Sequence, residues 1–180
     1  MRTANGGTVT TQLILAGIGI EPSTDLAEAC GLDIDNGIVV DEMARTSDPN
    51  IWAAGDIAEY PDPALHRLRR MEHWDHALNH GRCAGVNMAG GGQPYAGLPM
   101  FFSDFFDLGW EAVGDLDVSF DFEYSWKVPH REGVVFYLDE GITRGVLLWG
   151  VFEKVEAARA LIRQDRPMSM EERLQTLGME

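Results

Sequence analysis

The chain has 180 residues, 45% of them hydrophobic and 24% charged. That is room for one domain or one and a half, with enough apolar side chains for a core, and it excludes a disordered tail. Twenty-nine acidic against fourteen basic residues give a net charge of −15, which repels phosphate backbones and argues against a nucleic-acid partner. The longest apolar runs, such as residues 13–20, are too short for a membrane span, and the polar first eleven residues do not read as a secretory signal. Cys30 and Cys83 have no CxxC neighbour. A local redox dithiol and a four-cysteine zinc site are therefore excluded, and a reducing, cytoplasmic compartment fits best.

Asn5-Gly6-Gly7 is a turn signal. The apolar run at 13–20, stopped by Glu21-Pro22, predicts a strand buried on both faces. Residues 25–30 suit a short helix closed by Gly31. Asp35-Asn36-Gly37, between Leu32-Asp33-Ile34 and Ile38-Val39-Val40, predicts a small hairpin. Ile51-Trp52-Ala53-Ala54 reads as a short core strand ending at Gly55-Asp56. Trp74, Ala77, Leu78, Gly81, Ala84, Gly85 and Met88 recur at helical spacing. This stripe of mostly small residues predicts a packed face, approached by another backbone or a flat ligand, with Asp75, Asn79, Arg82 and Asn87 opposite.

Gly90-Gly91-Gly92 and Pro94-Tyr-Ala-Gly-Leu-Pro99 predict a boundary. Nine of the seventeen aromatic residues then fall between Phe101 and Trp126, with seven acidic residues and no base before Lys127. The alternation Phe120-Asp121-Phe122-Glu123 predicts a strand with an aromatic core face and a solvated acidic face; an aromatic surface for a partner is the other reading. Asp139-Glu140-Gly141 predicts a hairpin, residues 155–162 a helix, and Ser169-Met170-Glu171-Glu172 a capping box opening a final helix.

The candidate chemistry lies at the end of the strand predicted before Gly55. A carboxylate there sits where open α/β sheets bind ligands, and a glycine admits close approach. Asp56 can accept hydrogen bonds from polyol hydroxyls; the plainer reading is an aspartate that caps a turn. His76 and His80 share a helix face, yet no third metal ligand stands at useful spacing, so no metal site is expected.

Arg45-Thr46-Ser47, Ile51-Trp-Ala-Ala-Gly-Asp56, Glu72-His73-Trp74-Asp75-His76-Ala77, Gly19-Ile20-Glu21-Pro22 and Met100-Phe101-Phe102-Ser103-Asp104 follow one another in an order and spacing that closely resemble the FAD-dependent pyridine-nucleotide oxidoreductases. The nearest branch is the ferredoxin- or rubredoxin-reductase-like enzymes, and within it the apoptosis-inducing-factor-like oxidoreductases. The resemblance implies FAD and NAD(P)H as cofactors and no acid–base catalytic residue. It implies that Asp56, after Gly55, holds the ribityl chain, and that Glu72, His73 and Trp74 lie against the flavin ring. It implies Gly19 near bound NAD, Phe102 where this family often has a tryptophan near nicotinamide and flavin, and Glu111 approaching the dinucleotide from the C-terminal domain.

The chain departs from the family in having no GxGxxG turn, since Gly17-Ile18-Gly19 runs into Ile20-Glu21-Pro22. It therefore looks truncated, a C-terminal portion: 1–22 the end of an NAD(P)-binding domain, 23–93 the returning part of an FAD-binding domain, and 94–180 a C-terminal reductase or dimerisation-type domain. The fold class expected is an α/β remnant of a FAD/NAD(P)-binding fold, followed by an α+β domain with an antiparallel sheet and two terminal helices. The function implied is hydride transfer from NAD(P)H to FAD, with electrons passed on to a quinone or to a protein such as a ferredoxin or rubredoxin. A non-catalytic interaction or dimerisation module without its own cofactor is the alternative; a homodimer is one possible assembly, and the sequence leaves the oligomeric state open.

Overall fold

The computed structural model describes residues 1–179. Helix α1 (Asp25–Ala29) ends as predicted: Gly31 takes a positive φ of 72° and the Leu32 N–H returns to the Ala27 carbonyl. Three strands, β1 (Ile38–Val39), β2 (Ala58–Asp62) and β3 (Arg67–Arg70), form a mixed sheet in the order β1-β2-β3, parallel then antiparallel. Helix α2 (Trp74–Met88) packs beside it. Strands β4 (Met100–Phe105), β5 (Leu108–Gly114), β6 (Asp121–Val128), β7 (Glu132–Asp139) and β8 (Ile142–Trp149) form an antiparallel sheet in the order β4-β5-β8-β7-β6. Helices α3 (Val155–Ile162) and α4 (Met170–Leu177) follow. Among the described residues no helix is long and apolar enough to cross a membrane.

The second sheet is built as its sequence directs. Glu140 and Gly141 both take positive φ, 49° and 80°, and turn β7 into β8. Val134, Phe136 and Leu138 of β7 and Val146 and Leu148 of β8 bury against Ala158, Leu161 and Ile162 of α3 and Leu177 of α4. Burial of this size supplies about 1.5–3 kcal/mol for each large side chain. Ser169 and Glu172 complete a reciprocal capping box at the start of α4. Arg173, only 2% exposed, pairs with Glu123 of β6 at 2.7 Å and lies over the Phe136 ring.

Five expectations are corrected. Residues 13–20 form no strand and lie exposed, Leu15 to 95%. A strand buried on both faces needs flanking strands and two covering layers, and the described residues bring neither to it. Residues 51–54 make one bridge, Arg45 to Trp52, instead of a strand; positive φ at Ala44 (62°) and Gly55 (77°) bends the chain at either end of the ladder. The predicted hairpin around Asn36 is likewise a single bridge, Ile34 to Ile38, because Ile38 and Val39 pair with β2 instead.

Helix α2 is rotated from its predicted orientation. Its buried face carries His76, His80, Ala84 and Asn87, while Trp74, Leu78, Gly81, Gly85 and Met88 stay exposed. The polar residues turn inward because each finds partners. Asn87 donates to the Met43 and Gln93 carbonyls and accepts from the Gln93 N–H. The two histidine rings join Tyr60 and Tyr95 in one buried aromatic cluster, with centroids 4.7–5.5 Å apart. In β6 the expected faces are exchanged. Glu123 turns toward the helices, and Phe122 and Tyr124 stand exposed to 62% and 57%.

A polar joint ties α2 to the second sheet. Asp75 Oδ2 accepts from the Met100 N–H at 3.1 Å and from Arg159 Nη2 at 2.8 Å, and Arg159 Nε donates to the Leu98 carbonyl at 2.7 Å. Both side chains are largely buried. Arg159→Ala therefore leaves a half-buried carboxylate without its cation. It should lower unfolding free energy by roughly 2–3 kcal/mol, read from urea denaturation, against about 1 kcal/mol or less for exposed Arg166→Ala.

Burial lowers the pKa of His76 to about 3, helped by neighbouring His80, and that of His80 to about 4. Both are neutral in the fold and take up protons near pH 6.5 once unfolded. Their folded pKa values lie below the unfolded ones, so stability is full above pH 6.5 and falls as the pH drops toward 4. The loss is about 1.4 kcal/mol per histidine per pH unit. Melting temperature measured from pH 7 to pH 4.5 should fall steeply in the parent, and less steeply in His76→Phe.

Candidate functional site

The turn that carries Asp56 is a 3-10 segment, Gly55–Ile57, set against α2. Gly55 holds φ at 77°, and a Cβ there would meet the Ala77 methyl at 3.4 Å, so the turn rests closely on the helix. The Gly55 N–H donates to His80 Nδ1 at 3.4 Å, so the neutral histidine cluster is the floor beneath the turn. The Asp56 side chain is exposed, and among the described residues its carboxylate takes part in no ion pair or hydrogen bond.

Arg70, at the end of β3, gathers the neighbouring groups. Its Nη1 donates to the Asp56 carbonyl at 2.9 Å and pairs with Glu72 Oε1 at 2.6 Å. His73 is the N-cap of α2 with extended backbone, and no side chain caps the helix. Its ring stacks on Phe101 of β4, with centroids 4.2 Å apart and planes at 11°. Burial, with help from Arg69, lowers its pKa, while Asp56 and Glu72 oppose the shift. Trp74 follows with its indole 75% exposed. Gly55, Asp56, Glu72, His73 and Trp74 thus surround the open N-terminus of a 15-residue helix, an electropositive end that suits an anion or a developing negative charge.

Phe102 and Glu111 are direct cross-strand partners in β4 and β5. They share the helix-side face of the sheet, opposite Phe101. Phe102 is exposed; Glu111 is partly buried, with one carboxylate oxygen lacking a partner. Burial, with Glu153 nearby, raises the Glu111 pKa. Gly19 is not joined to this group. It lies in the exposed run 13–20 with φ at 89° and open space around it. Among the described residues no three His, Cys, Asp or Glu side chains form a metal-ion site.

Arg70, Phe101 and the Asp75–Arg159 joint were not singled out from the sequence. The signal for Arg70 was a cation two residues before Glu72. Phe101 differs from Phe102 only in strand parity, which needs the register of β4.

The amino-terminal part of the chain, residues 1–81, matches the family model described as pyridine nucleotide-disulphide oxidoreductase. Residues 123–164 match the model of the C-terminal part of the mitochondrion-associated apoptosis-inducing factor. The ferredoxin–NAD(+) reductase component of the anthranilate 1,2-dioxygenase system of Burkholderia cepacia is 41% identical over 108 residues, 60% of this chain and 27% of that protein. Apoptosis-inducing factor 1 of Dictyostelium discoideum is 35% identical over 179 residues, 90% of this chain and 33% of that protein. Among solved structures, a ferredoxin reductase for the CYP199A2 system from Rhodopseudomonas palustris superposes with a TM-score of 0.84 at 29% identity, over 94% of this chain and 42% of that one. The reductase of a covalent putidaredoxin reductase–putidaredoxin complex gives 0.82 at 30% identity, over 94% and 41%. The chain spans less than half the length of each of these relatives. It is similar, over nearly its whole length, to FAD-dependent pyridine-nucleotide oxidoreductases of the ferredoxin-reductase and apoptosis-inducing-factor kind.

Proposed function

We propose that this chain is the carboxyl-terminal part of an FAD-dependent NAD(P)H oxidoreductase that delivers electrons to a ferredoxin-type protein or a quinone. The observation that carries the reading is the unpaired, exposed Asp56 carboxylate beside the uncapped start of α2, bordered by Trp74. The donor set suits a flavin. A free carboxylate accepts from polyol hydroxyls, helix amides face the pole of a ring that gains negative charge, and the Trp74 indole offers apolar surface.

A bound flavin supplies hydride acceptance from a nicotinamide and release of electrons to an acceptor. The chain's own residues have simpler tasks. Asp56 anchors the polyol chain, and Gly55 lets it approach the turn. The amides of the first turn of α2 stabilise charge by about 0.3–1 kcal/mol, more where water is excluded. Arg70 fixes Glu72 against the Asp56 turn, and the stacked pair His73–Phe101 sets the rim. Phe102 and Glu111 lie on the face of the second sheet opposite Phe101, so their assignment to the nicotinamide and the dinucleotide rests on the family resemblance and not on contact with this rim. Gly19 belongs to the nicotinamide side in this reading.

The chain contains no GxGxxG loop for a pyrophosphate, so FAD added to the 180-residue protein should be lost on dialysis. In a protein where the chain is continuous with a pyrophosphate-binding fold, Asp56→Ala should weaken FAD retention roughly tenfold, about 1.4 kcal/mol. The apoprotein's melting temperature should not change. Absorbance of the dialysed protein near the flavin band measures retention, and thermal denaturation of the apoprotein followed by circular dichroism measures stability. Equal flavin occupancy in variant and parent would remove Asp56 from the site.

A further inference from the structure

We propose that His80 is a positioning residue for the turn that carries Asp56: its buried, neutral imidazole accepts the Gly55 N–H and fixes where Asp56 is presented, and a proton on that ring releases the turn. The proposal rests on the reading of Asp56 as the anchor of a polyol chain. Gly55 is buried, and its N–H donates to His80 Nδ1 at 3.4 Å. Among the described residues that N–H has no other acceptor. Ala54, the residue before it, is extended and brings no side-chain cap to the 3-10 segment. A buried N–H left without an acceptor is costly, so the turn needs this ring.

The turn meets α2 at Ala77 and at His80, which are neighbours on the helix surface. The Ala77 methyl lies 3.4 Å from where a Gly55 Cβ would stand. That contact is apolar and without direction. The bond to His80 is directional, and it is the one of the two that acid can break.

The surroundings of the ring set its proton. Because Nδ1 accepts, Nε2 carries the hydrogen of the neutral ring, and Nε2 is buried without a protein partner. Three titratable side chains face the imidazole: His76 of α2 with centroids 4.9 Å apart, Tyr60 of β2 at 5.2 Å and Tyr95, from the segment before β4, at 4.7 Å. Burial raises the pKa of both tyrosines, so they stay neutral in acid, and His76 is lowered further than His80. Beyond them Asp62 of β2 bears on the tyrosines and Arg69 of β3, its ion-pair partner, on His76. Among the described residues no carboxylate pairs with the His80 ring, so a proton there has no counter-charge. Burial lowers the His80 pKa to about 4, below the 6.5 of a free imidazole. The hold on Gly55 is therefore full above pH 6.5 and weakens as the pH falls toward 4.

The test uses two variants. His80→Phe keeps a ring among Tyr60, His76 and Tyr95 but has no acceptor; His80→Gln keeps an acceptor that acid does not protonate. The first readout is the Gly55 amide of the 180-residue chain, as its hydrogen-exchange protection in NMR spectra, with far-UV circular dichroism to check folding. At pH 7 protection should fall roughly tenfold in His80→Phe and stay near the parent value in His80→Gln. Between pH 7 and pH 4.5 it should fall in the parent and stay level in His80→Gln, an arm that needs no phenylalanine variant. The second readout is FAD retained on dialysis, in a protein where the chain is continuous with a pyrophosphate-binding fold. His80→Phe should weaken retention roughly tenfold, and His80→Gln should keep it at pH 4.5 better than the parent does. Unchanged Gly55 protection in His80→Phe, or equal acid sensitivity in the parent and His80→Gln, overturns the inference whatever the flavin does. Equal FAD retention in His80→Phe and parent, with Asp56→Ala still losing it, overturns the inference and leaves the Asp56 reading standing; equal retention in all three removes both.

Discussion

One polar joint decides where the site can be. Asp75 sits in the first turn of α2, and its carboxylate takes the Met100 N–H at the start of β4 and the Arg159 guanidinium of α3. Arg159 in turn holds the Leu98 carbonyl and Glu156. Three segments far apart in sequence therefore meet at the helix end that also carries His73 and Trp74. An ion pair with so little exposure gains little net energy in itself. Its effect is directional, because the groups are satisfied in one arrangement and that arrangement brings the Phe101 ring onto His73.

Beneath the turn the same economy of position is achieved by a different means. His76, His80, Tyr60 and Tyr95 are all buried, and the two histidines are held neutral. A neutral His80 can accept the Gly55 N–H; a protonated one cannot. The polar atoms of this cluster are incompletely satisfied, since Tyr60 Oη and both histidine Nε2 atoms lack protein partners. A buried aromatic floor costs stability through those atoms. In return it leaves Asp56 raised, exposed and uncommitted, with every nearby cation drawn elsewhere: Arg70 to Glu72 and a carbonyl, Arg69 to Asp62.

How much of this was legible follows from which forces are local. The capping box at Ser169, the Glu140-Gly141 turn and the Gly31 helix stop were read correctly, because each depends on a few adjacent residues. The order of motifs from Arg45 to Asp104 pointed to the segments of the candidate site by another route, the family resemblance. Helix α2 was turned the wrong way because apolar spacing was taken to mark the buried face. Histidine and asparagine were drawn inside by partners, Tyr95, Met43 and Gln93, that only tertiary structure supplies. The exchange of faces in β6 has the same origin: Arg173, buried under the sheet, claims Glu123, and period-two alternation then forces Phe122 and Tyr124 outward.

The exposed apolar surface is concentrated, and its distribution bears on what the chain is for. One part is the run 13–20; a second is the Trp74, Leu78 and Met88 face of α2; a third is the aromatic face of β6; a fourth is the β4–β5 turn with Phe102, Phe105 and Phe106. The first two fall in or directly beside the segment that matches the pyridine-nucleotide model, and the third opens the segment that matches the apoptosis-inducing-factor model. An exposed apolar run and a helix stripe of glycine and alanine are shaped for close packing by other backbone. Under the proposed reading, the remainder of a longer flavoenzyme would supply such backbone on the side of Asp56. The β6 face lies on the second sheet, outside the dinucleotide-type segment. The small-residue stripe of α2 and the aromatic face of β6 are thus unlike surfaces, one shaped for close backbone packing and one for broad aromatic contact.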